Sequence, residues 1–135
     1  MCENNNCPCL ADVLETILSL QQRSASEDCS LGCAKPFLGS EVLSCFNTRP
    51  VSLINCCADR KWTFPATING MTVECDVFRI ENINDCCATF RCLFPNRTID
   101  SSETTPYIAT NDFFTIDLNC VAALVCHKDT NVCGV

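Results

Sequence analysis

Cysteine is the residue type with the most chemistry to offer in this chain, with 15 among 135 residues, a share found in disulfide scaffolds. The spacings are Cys2, Cys7-Pro8-Cys9, Cys29-x3-Cys33, Cys45, Cys56-Cys57, Cys75, Cys86-Cys87-x4-Cys92, Cys120-x5-Cys126 and Cys133. C-x-x-C does not occur, which weakens a thioredoxin-like reading. Structural zinc sites use two close ligand pairs. Cys29 and Cys33 fit one half of such a site, but no second pair matches, so no metal ligand is assigned. The single histidine, His127, follows Cys126 directly. A Cys–His nucleophile needs hydrogen-bond reach and a third group to orient the base, and adjacency supplies neither. His127 reads as a surface residue near a strand end. Neither the G-x-S-x-G, H-E-x-x-H, P-loop nor G-x-G-x-x-G pattern is present. No catalytic residue, enzymatic activity or cofactor is therefore expected.

What remains for the cysteines is cross-linking and packing. Their number is odd, so at least one thiol stays free or joins another chain if the rest pair internally. Cys2, Cys7, Cys9 and Cys133 lie toward the ends, where a mobile thiol reaches a neighbour without distorting folded backbone, and they are the candidates for intermolecular disulfides. Cys29, Cys33, Cys45, Cys56, Cys57, Cys75, Cys86, Cys87, Cys92, Cys120 and Cys126 are candidates for fold disulfides or core thiols. Cys packs like a small hydrophobe, so Cys92 and Cys120, set among Phe and Ile, fit either role. Adjacent cysteines on a strand point to opposite faces, so Cys56 and Cys57, and likewise Cys86 and Cys87, serve different surroundings.

These residues need a frame to position them. The polar stretch 1–9 reads as a flexible arm. Residues 10–23 read as an amphipathic helix, with Leu10, Val13, Leu14, Ile17 and Leu18 on one face and Pro8 near its first turn. Residues 24–135 read as a β-rich domain with a Cys-containing C-terminal tail, opening with a Ser- and Gly-rich loop at 24–40. Strands are expected at 51–57 and 61–68, and Asn69-Gly70 followed by an alternating run is a strong hairpin signal. Residues 86–94 read as a strand with Ala88, Phe90, Cys92 and Phe94 toward the core, leaving Cys87 and Leu93 outward. A polar connection follows at 95–112. One last strand is expected from Phe113 to Cys126, with Phe114, Ile116, Leu118 and Cys120 on one face. One helix before five or six antiparallel strands gives a mainly β fold, a small antiparallel β-sandwich or barrel.

Composition excludes several partners. A net charge of -7 with nine scattered Lys and Arg argues against nucleic acid and against an anionic membrane surface. Nothing approaches the length of a membrane span. The opening stretch has no Lys or Arg ahead of its apolar segment, and that segment carries Asp12 and Glu15, so it is not expected to be a secretory signal. Synthesis in a cytosol keeps thiols reduced, which sits oddly with a disulfide-scaffold composition. Metal binding is one resolution, and exposure to oxidant only after the cell has lysed is another.

Particular strings then narrow the reading. The N-terminal Cys-Pro-Cys ahead of an amphipathic helix, PFLG at 36–39, NTRP at 47–50, FRIE at 78–81, DCCATFRCL at 85–93, and FFTIDLNC running on to Cys126 together resemble the Cys-rich bacterial spore coat and exosporium family of CotY, CotZ and ExsY. Where relatives tend to carry a middle cysteine near the last strand, this chain has Ala122. The resemblance implies a structural protein of the endospore surface, in the crust or the basal layer of the exosporium. It implies self-assembly into a two-dimensional, hexagonal-type lattice of homo-oligomers hardened by disulfides, with other coat or exosporium proteins as partners. It further implies synthesis in the mother-cell cytoplasm without a signal peptide and oxidation once that cell lyses. Two readings from other classes stay open beside it: a thiol-rich zinc-binding or redox protein, and a secreted disulfide-stabilised inhibitor or toxin.

Overall fold

The computed structural model describes residues 7–26, 46–58, 60–95, 107–130, 132 and 135. An N-terminal helix α1 (Cys7–Ser26) precedes β1 (Val51–Asn55), β2 (Phe64–Ile68), β3 (Met71–Cys75), β4 (Val77–Asn84), β5 (Cys87–Pro95), β6 (Tyr107–Asp117) and β7 (Val121–Cys126). β6 and β7 are separated by a 3₁₀ turn at Leu118–Cys120. The strands form a five-stranded sheet in the order β6-β5-β4-β1-β7 and a two-stranded sheet of β2 and β3, with every pairing antiparallel. The result is a mainly β, sandwich-like fold with one helix, and the sheet is not closed into a barrel.

α1 begins three residues earlier than its apolar periodicity implies, at Cys7, with Pro8 in the first turn, where a missing N–H costs nothing. Its buried side is Cys7, Leu10, Ala11, Leu14, Ile17 and Gln21, while Val13 is exposed. Anchoring at Cys7 turns the buried stripe so that Val13 falls at its margin. Gln21 ties the helix to the sheet through both ends of its amide. Its Nε2 donates to the Ile80 carbonyl (2.9 Å), and its Oε1 accepts from the Arg49 N–H (3.1 Å). A buried amide is tolerated because donor and acceptor are both satisfied.

The β2–β3 hairpin is the one its sequence announces. Asn69 and Gly70 both have positive φ (51° and 80°), and Ile68 pairs with Met71, the two-residue turn whose twist suits a hairpin. Its core side meets the large sheet through aromatic rings. Phe64 stacks on Phe114 with centroids 3.7 Å apart, and Phe78 meets Phe114 edge-on at 4.8 Å.

Two expectations are corrected. The single strand expected from Phe113 to Cys126 is two strands on opposite edges of the same sheet. Asp117 makes the switch possible, because its Oδ1 accepts from the Asn119 N–H (2.9 Å) and starts the 3₁₀ turn. Leu118 turns inward and its N–H donates to the Cys86 carbonyl (2.8 Å). The outward position of Leu93 is likewise wrong. Leu93 is fully buried in a second cluster with Val77 and Val132, against Tyr107 and Ala109, because the C-terminal segment folds back over that part of the outer face.

That fold-back explains the string NTRP. The Asn47 amide donates to the Val132 carbonyl and accepts from its N–H, and Thr48 and Thr130 exchange backbone hydrogen bonds of 3.1 and 2.9 Å. Arg49 donates to the His127 carbonyl and pairs with Asp129, and the Pro50 carbonyl accepts from the His127 N–H. FRIE acts on the same strap. Phe78 and Ile80 fill the core, while the Arg79 guanidinium reaches the Thr48 hydroxyl, the Asn47 carbonyl and the Glu81 carboxylate.

Candidate functional site

The candidate site is the distribution of thiols over this frame. At one corner, Cys7 in the first turn of α1 is disulfide-bonded to Cys86 in the β4–β5 turn, with a Cα–Cα separation of 5.6 Å. Their sequence separation of 79 makes this a long-range staple, of the kind expected to restrict the unfolded chain most. The expectation that Cys7 serves a neighbouring chain is corrected here. Helix α1 starts early enough to bring Cys7 into the core, at 4% exposure, where it meets Cys86 of its own chain.

The same corner sends thiols outward. Cys87, the first residue of β5, is an exposed free thiol, and Cys9 is an exposed free thiol on α1. The two cysteines do serve different surroundings, one sulfur in a disulfide and the other in solvent, but Cys86 lies in the turn ahead of β5 rather than on the strand where alternation placed it. Cys126, also exposed and free, ends β7. It lies at the far end of β7 from the 3₁₀ turn, a strand of six residues and roughly 20 Å. Cys57 is exposed and disulfide-bonded. Its neighbour Cys56 is half-buried and donates its backbone N–H to the Cys120 carbonyl (3.2 Å), and Cys120 is half-buried. Cys2, Cys29, Cys33, Cys45 and Cys133 lie outside the described residues.

Cys75 and Cys92 occupy the opposite extreme. Each is a free thiol at 1% exposure, one on the hairpin and one on the large sheet, and both belong to the same buried cluster. Burial, followed by the carboxylates of Asp76, Asp112 and Glu74, pushes the Cys75 thiol up to about 11. Burial and the adjoining Cys75 push Cys92 up to about 12. Taking a charged form into an apolar setting is what raises both.

One arrangement is invisible in the linear spacing. His127 is half-buried, with its Nε2 2.8 Å from the Ser52 hydroxyl, which donates to the Asp76 carbonyl (2.8 Å). With its proton committed there, Ser52 accepts from an Nε2–H of His127. Ser52 is fully buried, so this Ser–His contact holds β7 and the segment after it to β1 and offers substrate no approach. The only advance signal was that Ser52 and His127 flank segments that pair. Among the described residues, no group of three or more His, Cys, Asp and Glu is placed to hold a metal ion, and no helix is long and apolar enough to cross a membrane.

The model of the spore coat protein Z family matches residues 2–107. The chain belongs to that family. The match takes in α1, β1 to β5 and the corner disulfide, and it supports a structural role in the spore coat. β6 after its first residue, the 3₁₀ turn and β7 lie beyond it, so the resemblance of 113–126 to spore coat proteins rests on those residues alone. No curated protein and no solved structure matches the chain.

Proposed function

We propose that this spore coat protein is a self-assembling unit of the endospore surface, joined to copies of itself and to other coat or exosporium proteins in a two-dimensional lattice that disulfides cross-link. The observation that carries the reading is the set of exposed free thiols Cys9, Cys87 and Cys126, borne by three different elements at two separated places on one domain. A unit with one reactive thiol can only dimerise. One with thiols pointing from a corner and from the far end of an edge strand can extend in more than one direction. Family membership supports a setting in the spore coat, and within the spore surface the proposed place is the crust or the exosporium basal layer. The role is structural rather than catalytic. Synthesis in the mother-cell cytoplasm keeps these thiols reduced until lysis admits oxidant.

The test is expression of the full chain alone, followed by electron microscopy and by denaturing electrophoresis with and without thiol reductant. Ordered sheets, seen as a high-mass ladder that collapses to one band on reduction, are expected. A protein that stays monomeric under oxidising conditions overturns the proposal.

A further inference from the structure

The five-stranded sheet ends in two edges of different character. β6 carries Asp112 and Asp117, and the hairpin lies beside it. Asp112 Oδ2 accepts from the Thr67 N–H of β2 (2.8 Å), and Phe114 of β6 stacks on Phe64 of β2. Charge on an edge strand and an element laid against it are common means of keeping a further strand away. β7 has neither. Its sequence, VAALVC, holds no charged residue and no proline, and Ala122, Ala123, Val125 and Cys126 are exposed. The register shows which backbone groups this edge presents. Val125 pairs with Ser52, and the His127 N–H donates to the Pro50 carbonyl (2.8 Å), so the N–H and C=O of Leu124 and Cys126 point away from β1. Among the described residues no strand lies on that side. We propose that this edge takes β7 of a second copy of the chain, antiparallel and about a two-fold axis at Val125, so that two five-stranded sheets become one.

The inference rests on the self-assembly reading and names one of its contacts. The second copy is the occupant because the edge is complementary to itself. With Val125 opposite Val125, Leu124 of each copy stands opposite Cys126 of the other, and each such pair exchanges both its N–H and its C=O. All the outward groups of Leu124 and Cys126 are then satisfied. The two Val125 side chains, each 40% exposed, meet at the axis in the close, non-hydrogen-bonded position, with Cα atoms about 4.5 Å apart, and cover one another. No charge faces a like charge, since Lys128 falls opposite Ala122 and Asp129 opposite Val121. For a chain of net charge -7, an uncharged edge is where two copies approach with least repulsion. Cys126 does not face its own counterpart, so the contact is held without a disulfide and the thiol stays available to another chain. A two-fold contact closes on itself. β7 alone therefore gives a dimer, and growth into a sheet needs a further contact, which the corner bearing Cys9 and Cys87 can supply.

The test uses the full chain with C9S/C87S/C126S, in which none of the described exposed free thiols remains to cross-link while the backbone N–H at position 126 stays in place. Dilute and concentrated samples are compared by sedimentation and by residue-resolved hydrogen exchange. A concentration-dependent dimer or larger species is expected, with the amides at 124 and 126 exchanging at least about 10-fold more slowly than in the dilute monomer. The amide at 125, which faces Ser52 of its own chain in both states, should change little. Adding V125K sets like charges opposite each other at the axis and should leave the protein monomeric at the same concentrations, its fold checked by circular dichroism. Adding M71K instead, on the exposed hairpin, should leave association unchanged. The proposal is overturned if the protein is monomeric at every concentration, or if folded V125K associates as M71K does. Should V125K not fold, the exchange rates at 124 and 126 decide alone, and rates as fast in the associated state as in the dilute one overturn the proposal. Ordered sheets with fast exchange at both positions would remove this contact and leave the lattice reading standing, whereas protected dimers that never form sheets would support the contact and remove the lattice.

Discussion

Because Cys75 and Cys92 ionise far above neutrality when folded, they couple stability to pH in one direction. An unfolded thiol releases its proton near its ordinary value, so above about pH 9 the unfolded chain binds fewer protons than the folded one. Stability is then fully present below that point and falls as pH rises toward about 11 and 12, each thiol costing about 1.4 kcal/mol for every pH unit crossed in that window. Urea unfolding of the reduced protein should therefore show a midpoint that drops between pH 9 and 11, and a double C75A/C92A variant should lose that part of the dependence. An unchanged slope in the variant would assign it to other groups. Phe78 is a second test at this scale. It is fully buried and touches Phe64, Phe90 and Phe114, so F78A should cost about 3–5 kcal/mol, measured by the same unfolding. Of these residues, the inward phases of Phe90, Cys92 and Phe114 were legible from alternation. The gathering of Cys75 and Cys92 into one buried cluster was not, because it depends on how one sheet lies over another and no spacing along the chain encodes that.

Elements were readable where local chemistry alone fixes them. Asn69-Gly70 specifies its hairpin because few other residues accept two successive positive φ values, and the structure places Gly70 at +80° with nothing near a would-be Cβ. G70A should then cost about 1 kcal/mol through backbone strain alone, seen as a lower Tm with no change in the spectrum of the folded state. The helix was equally plain from its stripe, although its start was not, since the Cys7–Cys86 bond that draws in the first turn joins residues 79 apart. The last strand misled for a different reason. Phe114, Ile116, Leu118 and Cys120 alternate smoothly across the 3₁₀ turn, and only the Asp117 cap and the Leu118-to-Cys86 hydrogen bond reveal the change of edge. Leu93 misled because alternation assigns a face and not what covers it, and the cover here arrives from Val132. At Val132 itself the strap is held by the side chain of Asn47. N47A removes both of its hydrogen bonds to Val132, and the C-terminal segment should then be cut by protease at concentrations that leave the parent chain whole.

For the whole molecule the open matter is whether disulfides build an assembly or fix one already built. Random oxidation of 15 cysteines offers far more wrong pairings than right ones, so specific cross-links require neighbours to be placed first by non-covalent contact. With Leu93 buried, the outer side of β5 no longer offers an apolar patch around Cys87. Among the described residues the large exposed apolar side chains are Val13 and Leu20 on α1, Phe46, Met71 on the hairpin, Phe113 on β6 opposite Arg91 of β5, Val125 on β7 and Val135. Val125 and Cys126 are successive residues of the edge strand β7 and point to opposite faces, so a neighbour docked along that edge, rather than on one face, would meet both the apolar group and the thiol. Cys9, Cys87 and Cys126 are exposed, and replacing each with Ser should alter folding stability by no more than about 0.5 kcal/mol. The triple variant C9S/C87S/C126S should accordingly fold, and under strong reductant it should assemble as the parent does, with the same spacing by electron microscopy. Under oxidant the parent's sheets should harden against boiling detergent, while those of the variant should remain largely soluble in it. If neither protein assembles until oxidant is added, and the parent then yields ordered sheets directly, covalent bonds come first and the order argued here is reversed.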